Sequence, residues 1–406
     1  MLWQRIISVA VLAASIVIPG AVEADPAGKP VKIGVLNDQS GPYADITGQG
    51  SVVAAQMAID DFGGKVLGQP IQLIFADHQN KPDVGVAIAG RWLDNEGVDA
   101  IVDLPNSGVM LAVQELVKNK AGIVLAAGGA AAKFNQSSCT PYSFQWVYDT
   151  YALANGTATA LTKSGGKTWY FVQVDNAFGS AMAADMKSFI EGAGGSVVGS
   201  VKHPLNTSDF SSFILQGQAS KSDVLLMINA GADTINSLKQ GADFNVVGGG
   251  QKLATSLFYL MDAKSLGLAA GQGLTVTDGY YWALNDATRA FGDRFAKLHQ
   301  GRKPTSVQIG VYSAVTHYLK AVAAAGSHDR TAIADKMREL PVNDVFVKDG
   351  KARKDGVMQH DIYLLQLKKP SEATGDSWDM FNVLRTIPAE TAFRPIEKSE
   401  CPLLKQ

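Results

Sequence analysis

Cysteine is nearly absent: the 406-residue chain carries two, Cys139 and Cys401. A metal site of soft ligands would need more of them, and a catalytic thiol would have no use for a second near the tail. Surplus charge is lacking too, since 36 basic and 38 acidic residues leave a net charge of −2. That balance offers neither nucleic acid nor an anionic membrane an electrostatic partner. The six histidines are scattered, and none forms the HxxxH or HExxH spacing of a metal site. No GxSxG elbow and no GxxxxGK phosphate loop occurs. The GQG of Gly48–Gly50 lacks the third glycine of a dinucleotide fingerprint and stands too early before its helix. Adjacent carboxylates such as Asp60 and Asp61 fall on the solvent face of a predicted helix, where hydration accounts for them. The enzyme reading left is a hydrolase whose acid and base meet only in space.

Long apolar runs are missing after residue 24, so no later segment is predicted to span a membrane. Before it, Arg5 precedes an apolar run from Ile6 to Ile18, and Pro19-Gly20 breaks that run. Val22 and Ala24 then offer small residues for a cut before Asp25. Residues 1–24 read as a secretory signal peptide, and the mature chain as exported. Both cysteines would then meet an oxidising compartment, which predicts a Cys139–Cys401 disulfide holding the tail to the loop after Ala132. The chain is too long for one hydrophobic core, so two domains are the default.

What is present is an alternation of strands and helices. VKIGVL reads as a buried strand, a polar turn with Ser40, Gly41 and Pro42 follows, and a helix-period stretch with Val53, Ala54, Met57 and Ala58 ends at Gly63-Gly64. Further strands are predicted at 71–77, 100–104 and 123–127, with helices near 47–62, 82–95 and 108–119. A second series follows Trp146, with strands at 169–174, 196–201, 223–228 and 252–256 and helices near 151–163, 180–193, 209–219 and 232–243. Strand-like runs at 274–281 and 361–367 flank helices near 286–299, 306–325 and 330–339. Such alternation argues for parallel sheets with right-handed crossovers.

The stretch VKIGVLNDQSGPYADITGQGSVVAAQMAIDDFGG, 31–64, resembles the amino-terminal signature of periplasmic binding proteins of the leucine/isoleucine/valine-binding type. These are the ligand-capturing subunits of ABC importers, and the resemblance runs through nearly the whole mature chain. It implies an α/β, type I periplasmic-binding-protein fold, with two doubly wound parallel-sheet lobes joined by a three-crossing hinge. The crossings would lie near 145–150, 278–284 and 340–355. Lobe 1 would hold residues 25–147 and 282–345, and lobe 2 residues 148–281 and 346–406 with the tail. A periplasmic monomer without cofactor, serving a permease in the inner membrane, is the matching expectation. Periplasmic hydrolase is the reading from another class.

The segment DLPNSGVMLAV, 103–113, ends a strand and starts a helix, so Asn106 or Ser107 can cap it. The same helix start suits a ligand carboxylate. In the family this position supplies a serine, and Ser107 matches it. In AAGGAAAKF, 126–134, the amides of Gly129, Ala130 and Ala131 could bind the anion, although relatives carry a hydroxyl where Ala131 stands. Tyr43, Trp146, Tyr148, Phe178 and Tyr281 fall at expected lobe edges. Each alone reads as packing or as ligand contact; their recurrence favours an aromatic-lined cleft. Phe178 stands where relatives often place a tyrosine over the ligand. Asn229, after the strand at 223–228, is a further candidate. Leu257, Phe258 and Tyr259 occupy the place of the carboxylate that holds an amino acid's ammonium in the family; Asp262 comes a turn late, and Asp149 is the other possible source of charge. With GYYWALNDATRAF at 279–291, the pattern resembles relatives that take up plant-derived aromatic acids. The expected ligand is an aromatic carboxylate of the hydroxybenzoate or hydroxycinnamate type, with a branched-chain or other amino acid as the alternative.

Overall fold

The computed structural model describes residues 28–405, so the expected signal peptide lies outside the described residues. The first unit is built on strands β1 (Lys32–Asn37), β4 (Gln72–Asp77), β5 (Ala100–Asp103), β6 (Ile123–Ala126) and β7 (Ser143–Gln145), with a small hairpin of β2 (Lys65–Val66) and β3 (Gln69–Pro70) between. The five-stranded sheet runs β4-β1-β5-β6-β7 and is parallel throughout. Helices α1 (Gly48–Phe62), α2 (Pro82–Arg91) and α3 (Ser107–Lys118) connect its strands. Strand β1 is an inner strand, between β4 and β5, and Ile33, Val35 and Leu36 are all buried, on both faces of the sheet. Helix α1 stops at Gly63, whose φ of 99° is left-handed and turns the Gly64 N–H back onto the Ile59 carbonyl at 2.9 Å.

A second unit repeats the plan. Helix α4 (Thr150–Lys163) leads to β8 (Thr168–Val174), α5 (Ala177–Gly192), β9 (Ser196–His203), α6 (Ser211–Ala219), β10 (Val224–Ile228), α7 (Ala232–Asp243) and β11 (Lys252–Thr255). Its parallel sheet runs β11-β10-β8-β9. Helices α8 (Leu260–Leu266) and α9 (Leu268–Gly271) then lead into β12 (Thr275–Asp278). Three helices follow: α10 (Asp286–Leu298), α11 (Ser306–Ala325) and α12 (Arg330–Glu339). Of these, α11 packs back on α1 and on β5 and β6 of the first sheet. The chain ends in a short hairpin of β13 (Lys351–Ala352) and β14 (Met358–Gln359), then β15 (Ile362–Leu367) and β16 (Phe381–Ile387).

Several expectations shift. The strand expected at 274–281 is shorter, and it joins an antiparallel sheet β12-β15-β16 instead of extending either parallel sheet. Strand β16 was not legible, because its exposed middle residues, Val383, Leu384, Arg385 and Thr386, do not alternate apolar with polar. Strand β7 is too short to carry a period. Helix α5 begins at Ala177, earlier than expected, because Asn176 caps it by accepting the Gly179 N–H at 2.9 Å.

Cys139 and Cys401 form a disulfide with a Cα–Cα distance of 5.6 Å. Beside it, the Glu400 N–H donates to Gln136 Oε1 at 3.0 Å. The tail is docked as well as tethered, since Ala392 and Phe393 pack in a buried cluster with Ala152, Val357, Ile362 and Ile387.

Candidate functional site

In each parallel sheet the chain starts in the middle, winds to one side, then returns to the other. The reversal leaves a crevice at the carboxyl ends of the two strands beside it, where open α/β sheets take ligands. Those strands are β1 and β5 in the first sheet and β8 and β10 in the second. The loops leaving all four strands meet at one cavity of about 350 Å³, counting its opening. Tyr43 follows β1, Ser107 follows β5, Phe178 follows β8 and Ala230 follows β10, and all four line it.

The two sheets approach closely here. The Ala232 N–H donates to the Pro42 carbonyl at 3.0 Å. Gly231 has a φ of 59°, and a Cβ there would stand 2.2 Å from the same oxygen, so only glycine permits the contact. Tyr148 and Tyr259 meet hydroxyl to hydroxyl.

One end of the cavity is the start of α3. Asp103 and Leu104 take positive φ of 87° and 56°, unusual for residues with side chains, and this turns the chain sharply from strand to helix. Asp103 is fastened there by the Asn37 amide, which donates to Oδ2 at 2.9 Å, and burial pushes its carboxyl up to about 7. Asn106 is the cap: its Oδ1 accepts the N–H groups of Gly108 at 2.9 Å and Val109 at 3.2 Å. Ser107 is thereby left for the cavity, its Oγ accepting the Ala131 N–H at 3.2 Å. Gly128 and Ala130 complete this wall. A helix start, a hydroxyl and a small-residue loop together suit an anionic group.

The rest of the wall is apolar or aromatic. Ile46, Pro105, Leu257 and Val307 join the rings of Tyr43, Phe178 and Tyr259, and among the described residues no acidic or basic side chain lines the cavity. Tyr43 is buried, and its hydroxyl is held well above the usual phenol range, first by burial and then by the Asp233 charge. Asp262 is spent on α8, where its Oδ2 accepts the Tyr259 N–H at 2.9 Å. Burial raises its carboxyl to about 8.

The structure brings Tyr43, Ser107, Ala130 and Phe178 of the expected residues into the cavity wall, with Ala131 bonded behind Ser107 and Tyr148 behind Tyr259. Others do not line it. Trp146 is fully buried against His317 and donates to Ser313 Oγ at 2.9 Å, because it is a core residue under α11. Asp149 caps α4 through the Ala152 N–H at 2.8 Å, and its second oxygen takes the Asn135 amide. Burial, its largest influence, lifts its carboxyl to about 6. Asn229 is absorbed in a buried network, accepting from Thr234 Oγ1 at 2.9 Å and donating to Ser237 at 3.2 Å. Gly129 directs its carbonyl to the Gln145 amide at 2.8 Å. Tyr281 donates to Asp379 at 3.0 Å and lines a different cavity. Ile46, Thr47, Pro105, Ala230 and Val307 were missed, since nothing in an aliphatic or small residue marks a wall until the loops converge. Leu257 and Tyr259 did carry a signal, as occupants of the position of a missing carboxylate.

A family model described as periplasmic binding protein matches residues 30–375. A solved periplasmic binding protein from Burkholderia mallei is 42% identical, with a TM-score of 0.89, and the alignment covers 92% of this chain and 99% of that one. A solved branched chain amino acid ABC transporter periplasmic ligand-binding protein from Burkholderia xenovorans LB400 is 40% identical, with a TM-score of 0.81 and the same coverage of 92% and 99%. A solute binding protein from Rhodopseudomonas palustris, solved in complex with benzoate, shares the fold at 19% identity and a TM-score of 0.81, covering 92% of this chain and 100% of that one. Among curated proteins, Leu/Ile/Val-binding protein homolog 7 of Brucella suis is 26% identical over 228 residues, so the match covers 53% of this chain and only 56% of that relative. With a matching model over most of its length and two relatives at this identity, the chain belongs to the periplasmic binding protein family.

Proposed function

We propose that the chain is exported to the periplasm, captures a small aromatic carboxylate between two lobes and delivers it to an ABC permease. The observation that carries this reading is the composition of the cavity wall. It has an anion seat at Ser107 and the start of α3, rings at Tyr43, Phe178 and Tyr259, and among the described residues no acidic one for an ammonium. A charged ammonium enclosed there would lack a counter-charge, which is costly in a dry cleft, whereas a flat ring gains burial and stacking. The benzoate held by the Rhodopseudomonas palustris protein supports the same ligand class on this fold. The contact across the cleft from Ala232 to Pro42 supports closure of the lobes on the ligand. In this reading the lobes comprise 25–147 with 282–345, and 148–281 with 346–406, and the protein works as a monomer without catalysis.

The description of the Burkholderia xenovorans relative favours a second reading, a branched-chain amino acid as ligand. Thermal unfolding separates the two. At 100 times its dissociation constant a ligand adds about 2.7 kcal/mol of stability. We expect 4-hydroxybenzoate or p-coumarate to raise the unfolding temperature and leucine to leave it unchanged. Stabilisation by leucine with no response to any aromatic acid would replace the first reading by the second.

A further inference from the structure

The loop after β1 meets the cleft and the second unit at the same point. Tyr43 lines the cavity, and its neighbour Pro42 uses its carbonyl to accept the Ala232 N–H at 3.0 Å. Ala232 is the first residue of α7, so its N–H has no partner within that helix and can serve the other unit. Gly231 lies against both loop residues. A Cβ there would stand 2.2 Å from the Pro42 oxygen and 3.3 Å from Tyr43 Cδ1.

Asp38 holds this loop in place. It is fully buried and does not itself line the cavity. Pro42 has no N–H to be held by, so the grip falls on the amides either side of it. Asp38 Oδ1 accepts the Gly41 N–H at 2.7 Å, and Oδ2 accepts the Tyr43 N–H at 2.8 Å. Oδ2 also accepts the Asn80 side-chain amide at 2.7 Å, which ties the loop after β1 to the one after β4. Asn80 Oδ1 in turn accepts the Asn106 amide at 3.4 Å, and Asn106 caps the helix that presents Ser107. Three donors on one buried carboxyl fix both the Tyr43 backbone and the direction of the Pro42 carbonyl. Position 41 has to be glycine for this grip, because a Cβ there would lie 2.7 Å from each Asp38 oxygen.

We propose that Asp38 is a positioning residue that makes the Gly41–Tyr43 loop a closing latch: it sets Tyr43 over the ligand and aims the Pro42 carbonyl at the Ala232 N–H of the opposite lobe. Ligand contact and lobe closure are then made by one rigid loop. This rests on the reading of the cleft as a site that closes on a ligand, whichever ligand fills it.

The test is binding and release by the mature protein, with 4-hydroxybenzoate, p-coumarate and leucine as probes. Ala232→Pro removes the donor, and proline suits the first position of a helix, so α7 keeps its start. Asp38→Asn puts an amide where three donors need acceptors, so one of them is turned away. For whichever probe binds the wild type, calorimetry should show each variant weakened about fivefold or more. Stopped-flow should place that loss in the dissociation rate, because the latch forms after the ligand has entered. Thermal unfolding without ligand checks that each variant folds; if Ala232→Pro does not, Asp38→Asn and its dissociation rate decide. Wild-type affinity and dissociation in either folded variant overturns the latch and leaves the ligand reading intact. Binding of none of the three probes by the wild type overturns both.

Discussion

Ser107 shows how much one residue can say. The Asn-Ser pair before an apolar helix left open which residue caps and which meets the ligand. The structure assigns capping to Asn106 and leaves the Ser107 hydroxyl in the cavity wall, within 3.2 Å of the Ala131 amide. We expect Ser107→Ala to weaken binding of an aromatic acid by roughly 1–3 kcal/mol, the range for a hydrogen bond to a charged group. The methyl ester of that acid should lose at least as much on the wild-type protein. Calorimetry on acid and ester would reveal equal affinities if the carboxylate lay elsewhere. Trp146 is the opposite case. An aromatic side chain near a lobe edge carries no mark of which side it faces, and only the packing of α11 turns it into the core.

At the scale of the element, α8 holds a buried acid within its own first turn. Asp262 closes a capping interaction with the Tyr259 N–H at 2.9 Å and is buried, so its carboxyl is pushed up to about 8. In the unfolded chain it would titrate near 3.8. Between these values the folded protein keeps a proton that the unfolded chain has released, so rising pH favours unfolding. The stabilisation from this group is complete below about pH 4 and is lost as the pH climbs towards 8. Burial gives Asp103 and Asp278 the same sign, each with a value of about 7. Asp262→Asn keeps the accepting oxygen and removes the titration. Its unfolding temperature should therefore fall less than that of the wild type between pH 5 and pH 8. Parallel curves over that interval would show that Asp262 is ionised throughout.

For the whole molecule, the tail matters most. Strand β16 sits on the antiparallel sheet beside the second unit, whereas Cys139 follows β6 of the first. The disulfide closes a separation of 262 residues and joins the two. Its tail end is well packed, as Cys401 is fully buried and Phe393 lies in its own cluster. Reduction, or Cys139→Ser with Cys401→Ser, should therefore cost about 2–4 kcal/mol, the usual range for a disulfide. Denaturant midpoints with and without reductant give the measurement. Two free thiols in the unfolded, unreduced protein would show that the bridge does not form.

By itself the sequence determined the parallel α/β plan, because strand and helix periods, together with Gly63 at a helix end, depend only on neighbours along the chain. It also singled out Ser107, Tyr43 and Phe178, since each follows a strand whose carboxyl end opens on the crevice. Only the tertiary structure decided which small and aliphatic residues form the wall and that Tyr148 backs Tyr259 behind it. It alone turned Asp149, Asn229 and Trp146 inward to partners within the protein. The physical reason is range. Capping and periodicity act within a few residues, whereas this cavity is made by loops after six strands of two sheets, and burial of a polar group is known only when its partners have arrived.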